Sequence, residues 1–424
     1  MNWLRSLIGD HHPLRLLWHW GKMIVAASRA GFPAKKLTVI GITGTDGKTT
    51  TTGMVAHILA KTGHKTAAAS TAFTQVGEEI RPNPTHLTSL SPAALQGLLK
   101  RAAESGCTHA VVEASSHGLT QHRLDCTWPS VAAITNLTLE HLDYHGTMAG
   151  YMQAKARLFR MLRPGGTKVL NRDDQTWPIY RTIPSAQTVT FGTTPEADIS
   201  LEEPQATDRG SSAQITVGTE RLTLNLSIPG LFNLQNAACA VAIARALGIP
   251  AAPTVAALAS FPGIPGRLER IDEGQPFSVF VDFAVSPNSY EQTLKTLRSI
   301  VAPGKRVLVL CSSCGNRMQE KRPVIGKICG ELADVVVVTE DETYGEDPLK
   351  VLEEVWAGIG ETKAETHKIP DRREALRAIL AMAQPGDAVV ACGMGPFDTM
   401  TTLQGRIPWD ERQIVRGILR QQKV

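Results

Sequence analysis

The segment Gly41-Ile-Thr-Gly44-Thr45-Asp46-Gly47-Lys48-Thr49-Thr50 is the part of this 424-residue chain best suited to chemistry. Glycines spaced this way turn successive backbone N–H groups toward one anion at a helix N-terminus. The lysine neutralises β/γ charge, and the hydroxyl after it can hold Mg²⁺. The pattern therefore asks for a phosphate cradle. It is looser than the template G-x-x-x-x-G-K-[ST], which needs glycine at 42, where this chain has Ile42. A Gly-rich turn that binds nothing is the competing reading, but packing gives no reason for Lys48 and Thr49 to follow Gly47. A second candidate, Cys311-x-x-Cys314, has the spacing of half a zinc site. No second pair follows it, and it continues the apolar run Val307 to Leu310, which reads as a strand.

The loop needs a strand before it and a helix after it. Leu37 to Ile42 is mostly apolar, and Met54, Val55, Ile58 and Leu59 then recur at helical spacing. Apolar runs at Ala110 to Val112, Val131 to Ile134 and Lys168 to Leu170 alternate with helical patterns at Pro92 to Ala103 and Tyr151 to Leu162. This predicts a mainly parallel sheet covered by helices. Between Ala197 and Ser227 the pattern changes to strands with tight turns, including Ala213 to Val217 and Leu222 to Leu226, an antiparallel excursion. A helix over Asn233 to Leu247 returns to the first domain, and Phe261-Pro-Gly-Ile-Pro-Gly266 reads as a linker. Strands at Phe277 to Asp282, Arg306 to Cys311, Asp334 to Thr339 and Ala388 to Ala391 then alternate with helices near 286–301, 347–357, 371–384 and 410–421. The predicted fold is α/β. A short helical extension (1–36) precedes a central P-loop domain with a mostly parallel sheet (37–265) and a smaller Rossmann-like domain (266–424).

Composition fits this organisation. Hydrophobic residues make up 42%, charged residues 20% and mean hydropathy is −0.08, as in a globular protein with substantial cores. The 44 basic and 40 acidic residues leave a net charge of +4, too little to compel a nucleic-acid or membrane partner, so an anion must be held locally. Seven scattered cysteines read as reduced thiols of a cytoplasmic chain. The first 30 residues hold no apolar stretch long enough for a signal core or a membrane span. They do carry Trp3, Trp18 and Trp20 with Leu4, Leu7, Leu14, Leu16 and Leu17. Such a helix can dock on the chain's own core, or touch a membrane surface or a partner.

The loop resembles, residue for residue, the phosphate loop of the Mur ligases, ATP-dependent amide ligases that add amino acids to the peptidoglycan precursor. The resemblance extends along most of the chain. Glu113-Ala-Ser115-Ser116-His-Gly-Leu119 is similar to the family's magnesium-binding glutamate segment, with Gln121-His-Arg123 behind it. Thr135-Asn136-Leu-Thr-Leu-Glu-His141-Leu-Asp-Tyr-His-Gly146 is similar to its Asn and His segment. Tyr151-Met-Gln-Ala-Lys155-Ala-Arg-Leu-Phe159 is similar to the one whose lysine is carbamylated. Phe232-Asn233-Leu-Gln-Asn236 resembles the adenine-contacting pair, and Pro265-Gly-Arg267-Leu-Glu-Arg270 the arginine at the domain junction. Leu87-Thr88-Ser89, Lys321-Arg-Pro and Glu346-Asp-Pro348 point to the branch that adds the third residue of the stem peptide.

The resemblance implies ATP and Mg²⁺, with Gly44 to Thr50, Asn136, Asn233, Asn236, Arg267 and Asp282 toward ATP. It implies Lys48, Glu113, His141 and Lys155 in catalysis, and Thr49, Glu113, His141 and a carbamylated Lys155 toward metal. Thr88, Ser89, Ser115, Ser116, Arg123, Arg317, Asp341 and Tyr344 would face substrates. Chemistry agrees with these types, because phosphoryl transfer to a carboxylate gathers negative charge and needs cations. Taken alone, Lys155 reads as a solvated helix lysine, His141 as a structural histidine, Glu113 as a rim carboxylate and Asp282 as a strand-end cap.

Four departures concern substrate. About 36 residues precede the loop strand, where the family carries a whole UDP-sugar-binding domain. The segment Asp-Asn-Pro-Arg of diaminopimelate-adding enzymes is Asp341-Glu-Thr-Tyr344, without the arginine that grips a distal carboxylate, which disfavours diaminopimelate. Gly-Lys-Gly-His-Glu is Gly393-Met-Gly-Pro-Phe397, an apolar substitution. Asp-Tyr-Ala-His is Asp282-Phe-Ala-Val285, and Gly-Asp-Arg is Gly315-Asn-Arg317. The reading is a cytoplasmic, monomeric ATP-dependent carboxylate–amine ligase working through an acyl phosphate, with an amino acid and a peptidoglycan-precursor-like acceptor as partners. No nucleic acid or firm membrane association is expected. A folylpolyglutamate- or cyanophycin-type ligase and a non-catalytic ATP-binding partner protein are the alternatives.

Overall fold

The computed structural model describes residues 9, 11–316 and 318–422. These divide into two compact units. The first comprises the chain to Pro204 with Ser212–Leu226 and Asn233–Phe261; the second comprises Gln205–Ser211, Ser227–Phe232 and the chain from Pro262. The division thus falls four residues before the one read from the linker's prolines and glycines, and two short stretches of the segment before it belong to the second unit.

The first unit opens with α1 (Pro13–Ala30), followed by β1 (Thr38–Thr43), α2 (Lys48–Lys61), β2 (Thr66–Ala69), β3 (Phe73–Val76), β4 (Glu79–Pro82) and α3 (Pro92–Glu104). Then come β5 (His109–Glu113), α4 (Ser116–Thr120), β6 (Val131–Ile134), α5 (Leu142–His145), α6 (Met148–Arg160), β7 (Thr167–Asn171), α7 (Trp177–Tyr180) and β8 (Gln187–Gly192). The strands β9 (Ile199–Ala206), β10 (Ser211–Val217) and β11 (Glu220–Leu226) precede α8 (Leu231–Ala246) and α9 (Ala251–Ala259). One eleven-stranded sheet runs β11-β10-β9-β8-β7-β6-β1-β5-β2-β3-β4. Strand β1 lies parallel between β5 and β6, buried almost throughout, as a β-strand covered on both faces must be.

The sequence reading caught β1, β5, β6 and β7 and the run of strands at one edge, but did not name the parallel strands β2 and β8, and β9 pairs with β8 in parallel. It missed the hairpin β3–β4 at the other edge, whose strands are only four residues long and whose outer strand is fully exposed. Helix α1 docks on the chain's own core: Met23 and Ala27 are buried, and Met23 packs with Leu95, Leu98 and Leu99.

The second unit contains β12 (Glu269–Ile271), β13 (Ser278–Asp282), α10 (Pro287–Ile300), β14 (Val307–Cys311), α11 (Lys321–Leu332), β15 (Val335–Val338) and α12 (Pro348–Ile359). It continues with β16 (Glu365–Lys368), α13 (Arg372–Met382), β17 (Ala388–Cys392), the hairpin β18 (Thr399–Thr402) and β19 (Gly405–Pro408), and α14 (Glu411–Gln421). Its main sheet, β12-β13-β17-β14-β15-β16, is parallel except for β12, with an apolar core on each face. Helix α11 escaped the sequence reading for a physical reason. Side chains added at Gly326 and Gly358 would strike the backbone carbonyls of Val355 and Pro323 at about 2 Å, so α11 and α12 approach closely through glycines, and only Ile325 and Cys329 mark the apolar face of α11 among its buried Lys321, Arg322, Gly326 and Gly330. Cys311 ends β14 in the core, as its apolar run predicted.

Candidate active site

The Gly-rich segment leaves the C-terminal end of β1 and enters α2, where backbone donors of a parallel sheet's loops converge. Two glycines make its path possible. Gly44 and Gly47 have φ of 148° and 80°, and a side chain at Gly44 would lie 1.8 Å from Thr135 Oγ1. A side chain at Gly47 would meet Asn236 Oδ1 at 2.1 Å, so the buried Asn233 and Asn236 of α8 sit directly over the loop, joined by a 3.2 Å hydrogen bond. Asn136 accepts from the Asp46 N–H at 2.9 Å, and the Thr135 hydroxyl donates to the Asp46 carbonyl at 2.6 Å. The Thr45 side chain lies against the Thr138 N–H at 3.0 Å and Tyr151 Oη at 3.2 Å. The segment after β6 therefore holds the cradle's shape.

Two lysines converge on it. Lys48 Nζ donates to the carbonyls of Gly44 (3.0 Å) and Thr45 (2.8 Å), and Lys155 Nζ donates to the same Gly44 carbonyl at 2.5 Å. Lys155 is 1% exposed and lies 4.4 Å above the Tyr151 ring, on the buried face of α6 with Leu158 and Phe159. This is no solvated helix lysine. Burial, and secondarily the Lys48 charge, push its pKa well below the ordinary lysine value.

Glu113 ends β5, in register with Ile42 of β1. It is 2% exposed, so it is not a rim carboxylate. Its Oε2 accepts from the Thr71 hydroxyl at 2.8 Å, whereas Oε1 is buried without a hydrogen-bond partner. A buried carboxylate oxygen left so is costly unless a cation answers it. The Ser116 hydroxyl, buried on α4, also lacks a partner. Thr49, buried in the first turn of α2, supplies the hydroxyl after Lys48.

The serine segment is a hydrogen-bonded shelf behind Glu113. Ser89 Oγ donates to the Glu113 carbonyl and lies 3.0 Å from Ser115 Oγ, which caps α4 through the Gly118 N–H. Thr88 meets the Thr71 hydroxyl at 3.0 Å, and Arg123 donates to the Ser89 carbonyl and to Gln121. His141 adopts a left-handed conformation (φ 58°) that starts α5, with its ring 4.8 Å from His117 and 6.0 Å from Tyr151. Burial pushes His145 down to about 4, so it stays neutral near pH 7. Thr71, Thr138 and Tyr151 are contributors the sequence reading did not single out. Thr71 follows a short strand with no local signature, and its partner Glu113 lies 42 residues on.

In the second unit, the guanidinium of Arg267 stacks 4.4 Å over Phe283. Asp282 is buried at the end of β13, accepting from the Leu268 N–H at 2.9 Å and the Thr293 hydroxyl at 2.7 Å. Asp341 is likewise turned inward, accepting from Ser312 at 2.7 Å and the Glu342 N–H at 2.6 Å. The Tyr344 hydroxyl donates to Glu342. Arg317 lies outside the described residues. The motifs Lys321-Arg-Pro and Glu346-Asp-Pro meet: Arg322 grips Glu346 at 2.7 and 3.1 Å and Glu354 at 2.5 Å. In the segment Gly393 to Phe397, Met394 and Phe397 are buried in the apolar core, with Phe397 edge-on to Phe283 at 5.0 Å.

A phosphate cradle on a parallel sheet, with two lysines and a buried carboxylate around it, defines a nucleotide-dependent group-transfer enzyme. Comparison with known proteins specifies which. Residues 42–244 match the Mur ligase middle domain, and residues 266–395 match the Mur ligase glutamate ligase domain. The chain is 35% identical over 413 residues to a UDP-N-acetylmuramyl-tripeptide synthetase of Roseiflexus sp., covering 93% of this chain and 81% of that one. A UDP-N-acetylmuramoyl-L-alanyl-D-glutamate–2,6-diaminopimelate ligase of Geobacillus thermodenitrificans is 35% identical, with 94% and 82% covered. The fold also matches Mycobacterium tuberculosis folylpolyglutamate synthase, with a TM-score of 0.71, 20% identity and 95% of each chain covered. The chain belongs to the Mur ligase family and is an ATP-dependent acid–amino-acid ligase.

Proposed function

We propose that this ligase adds an amino acid to a UDP-MurNAc-peptide-type precursor through an acyl phosphate. The observation that carries the reading is the convergence of Lys48 and Lys155 on one phosphate loop, with the half-satisfied Glu113 carboxylate at the end of the strand paired beside Ile42. The acceptor's carboxylate oxygen attacks the γ-phosphorus of ATP and ADP leaves. The amine then attacks the resulting carbonyl, phosphate departs with the C–O bond, and the amine gives up its proton to form the amide. Lys48 and the loop N–H groups hold the triphosphate in line, Asn233 and Asn236 bound its adenine side, and Asn136 keeps the loop in shape.

The residues fit Mg²⁺. Among the described residues no three His, Cys, Asp or Glu side chains form a ready-made cage, so the fit rests on Glu113 Oε1 together with Thr49, His141 and a carbamate on Lys155. Held by these residues, Mg²⁺ would supply positive charge to offset that gathering on the transferring phosphoryl group. A lysine reacts with CO₂ only as the free amine, and burial beside Lys48 favours that form of Lys155. The N–C bond forms, one proton leaves, and the product is an anion.

Arg267, Asp282, Asp341, Tyr344 and Arg317 are proposed to serve ATP and substrate from the second unit. The buried Met394 and Phe397 support an amine other than diaminopimelate. Seven free cysteines support a cytoplasmic setting. The test is acceptor carboxylate labelled with ¹⁸O. With ATP, Mg²⁺ and a panel of amines, label must appear in inorganic phosphate and the product mass must name the amine. Phosphate without label defeats the acyl-phosphate step.

A further inference from the structure

Helix α1 has two faces with different fates. Met23 and Ala27 are fixed in the first unit's core, and Gln96 reaches Met23 Sδ at 3.5 Å. The opposite face carries Leu14, Trp18, Gly21 and Val25, a line repeating at i, i+4, i+7 and i+11, with Leu17 on its border. Leu14, Leu17, Trp18 and Val25 are 64%, 60%, 59% and 49% exposed, although they are among the least water-compatible side chains of the helix.

Charge says what covers this face. Arg15, Lys22 and Arg29 stand seven residues apart and form a second line along one flank of the apolar one, with the Lys22 ammonium 5.9 Å from the Trp18 ring. Lys35 and Lys36 follow in the next turn of chain, where Lys35 lies over both Phe32 and Trp128. From Pro13 to Lys36 there are five lysines and arginines and no acidic residue. The cations border the apolar line and do not interrupt it. That layering matches a planar boundary with an apolar interior and anionic headgroups, and tryptophan favours the same boundary. The helix is not long and apolar enough to cross a membrane.

We propose that α1 docks this ligase on anionic lipid surfaces, with Leu14, Trp18 and Val25 in the headgroup–acyl boundary and Arg15, Lys22 and Arg29 at the headgroups. This holds whichever amine the enzyme adds. The test uses the full-length protein, sedimented with phosphatidylcholine vesicles with or without about 30% phosphatidylglycerol. Binding to the anionic vesicles is expected to be at least about tenfold tighter and to weaken in high salt. The variants Leu14→Ser/Trp18→Ser and Lys22→Glu/Arg29→Glu should each lose most of it while keeping unchanged acceptor-dependent ADP release.

Equal binding to both vesicles, no binding, or binding that survives both variants overturns the proposal. So does dimerisation without vesicles that Leu14→Ser/Trp18→Ser abolishes, which assigns the face to a second copy. Binding that arises only after deletion of residues 1–8 assigns the face to that segment and also overturns it.

Discussion

Gly44 and Lys155 carry the sharpest predictions at the scale of single residues. Gly44→Ala drives a methyl group into Thr135 from a backbone angle that L side chains avoid, so nucleotide affinity should fall by more than about tenfold. Calorimetric titration with a non-hydrolysable ATP analogue checks this, and unaltered affinity would show that the loop's path does not set binding. Lys155→Met keeps the buried length but offers CO₂ no amine. It should cut turnover by at least about a hundredfold while leaving the thermal midpoint close to that of the parent, read from phosphate release and melting together. In the parent protein, ¹³C-bicarbonate should give a carbamate signal that Lys155→Met lacks. The sequence showed Lys155 only as a position in a familiar pattern. Taken alone it reads as a solvated lysine; the structure buries it on one face of α6 with Tyr151, Leu158 and Phe159, and its shared carbonyl with Lys48 joins segments over 100 residues apart and leaves no local trace.

Among elements, two ion pairs tie parts of the second unit together, one fully buried and one partly buried. Arg372 at the start of α13 and Glu411 at the start of α14 are both fully buried and joined at 2.6 and 2.8 Å, and Arg372 also donates to the carbonyls of Cys392 and Glu340. Arg372→Met strands the Glu411 carboxylate, so it should cost about 3–5 kcal/mol in urea unfolding. A double Arg372→Met/Glu411→Leu variant should recover part of that. The Arg322–Glu346 grip gives a pH prediction. Hydrogen bonds from Arg322 and the Asn316 N–H lower Glu346 from 4.5 to about 2. A carboxyl with a depressed folded pKa stabilises fully above its unfolded value, so this contribution is intact above about pH 4.5 and fades as pH falls toward 2. Urea midpoints measured down that range should drop less steeply in Glu346→Gln. Strands such as β1, β6 and β14 were legible because parallel strands buried on both faces are continuously apolar, whereas β2, with the sequence Thr-Ala-Ala-Ala, offers too little apolar bulk to stand out. The glycine-packed α11 and the exposed β4 were not legible, since the buried positions of α11 include Lys321, Arg322, Gly326 and Gly330 and β4 buries none.

At the scale of the whole molecule, two units with separate sheets should respond separately to ligand. A non-hydrolysable ATP analogue at a hundred times its dissociation constant adds about 2.7 kcal/mol to whatever it binds. Scanning calorimetry should therefore show the first unit's transition moving upward. If Arg267 and Asp282 also hold the nucleotide, the second unit's transition moves with it. The family pattern was readable from residues 41 to 348, whereas the burial of the segment Gly393 to Phe397 was not, because it depended on what lies behind that segment. Met394 and Phe397 both lie in one of the second unit's apolar cores. Met394→Lys would therefore seat an ammonium among apolar neighbours at a cost of several kcal/mol, so charge can enter this segment only together with a repacking of the core behind it.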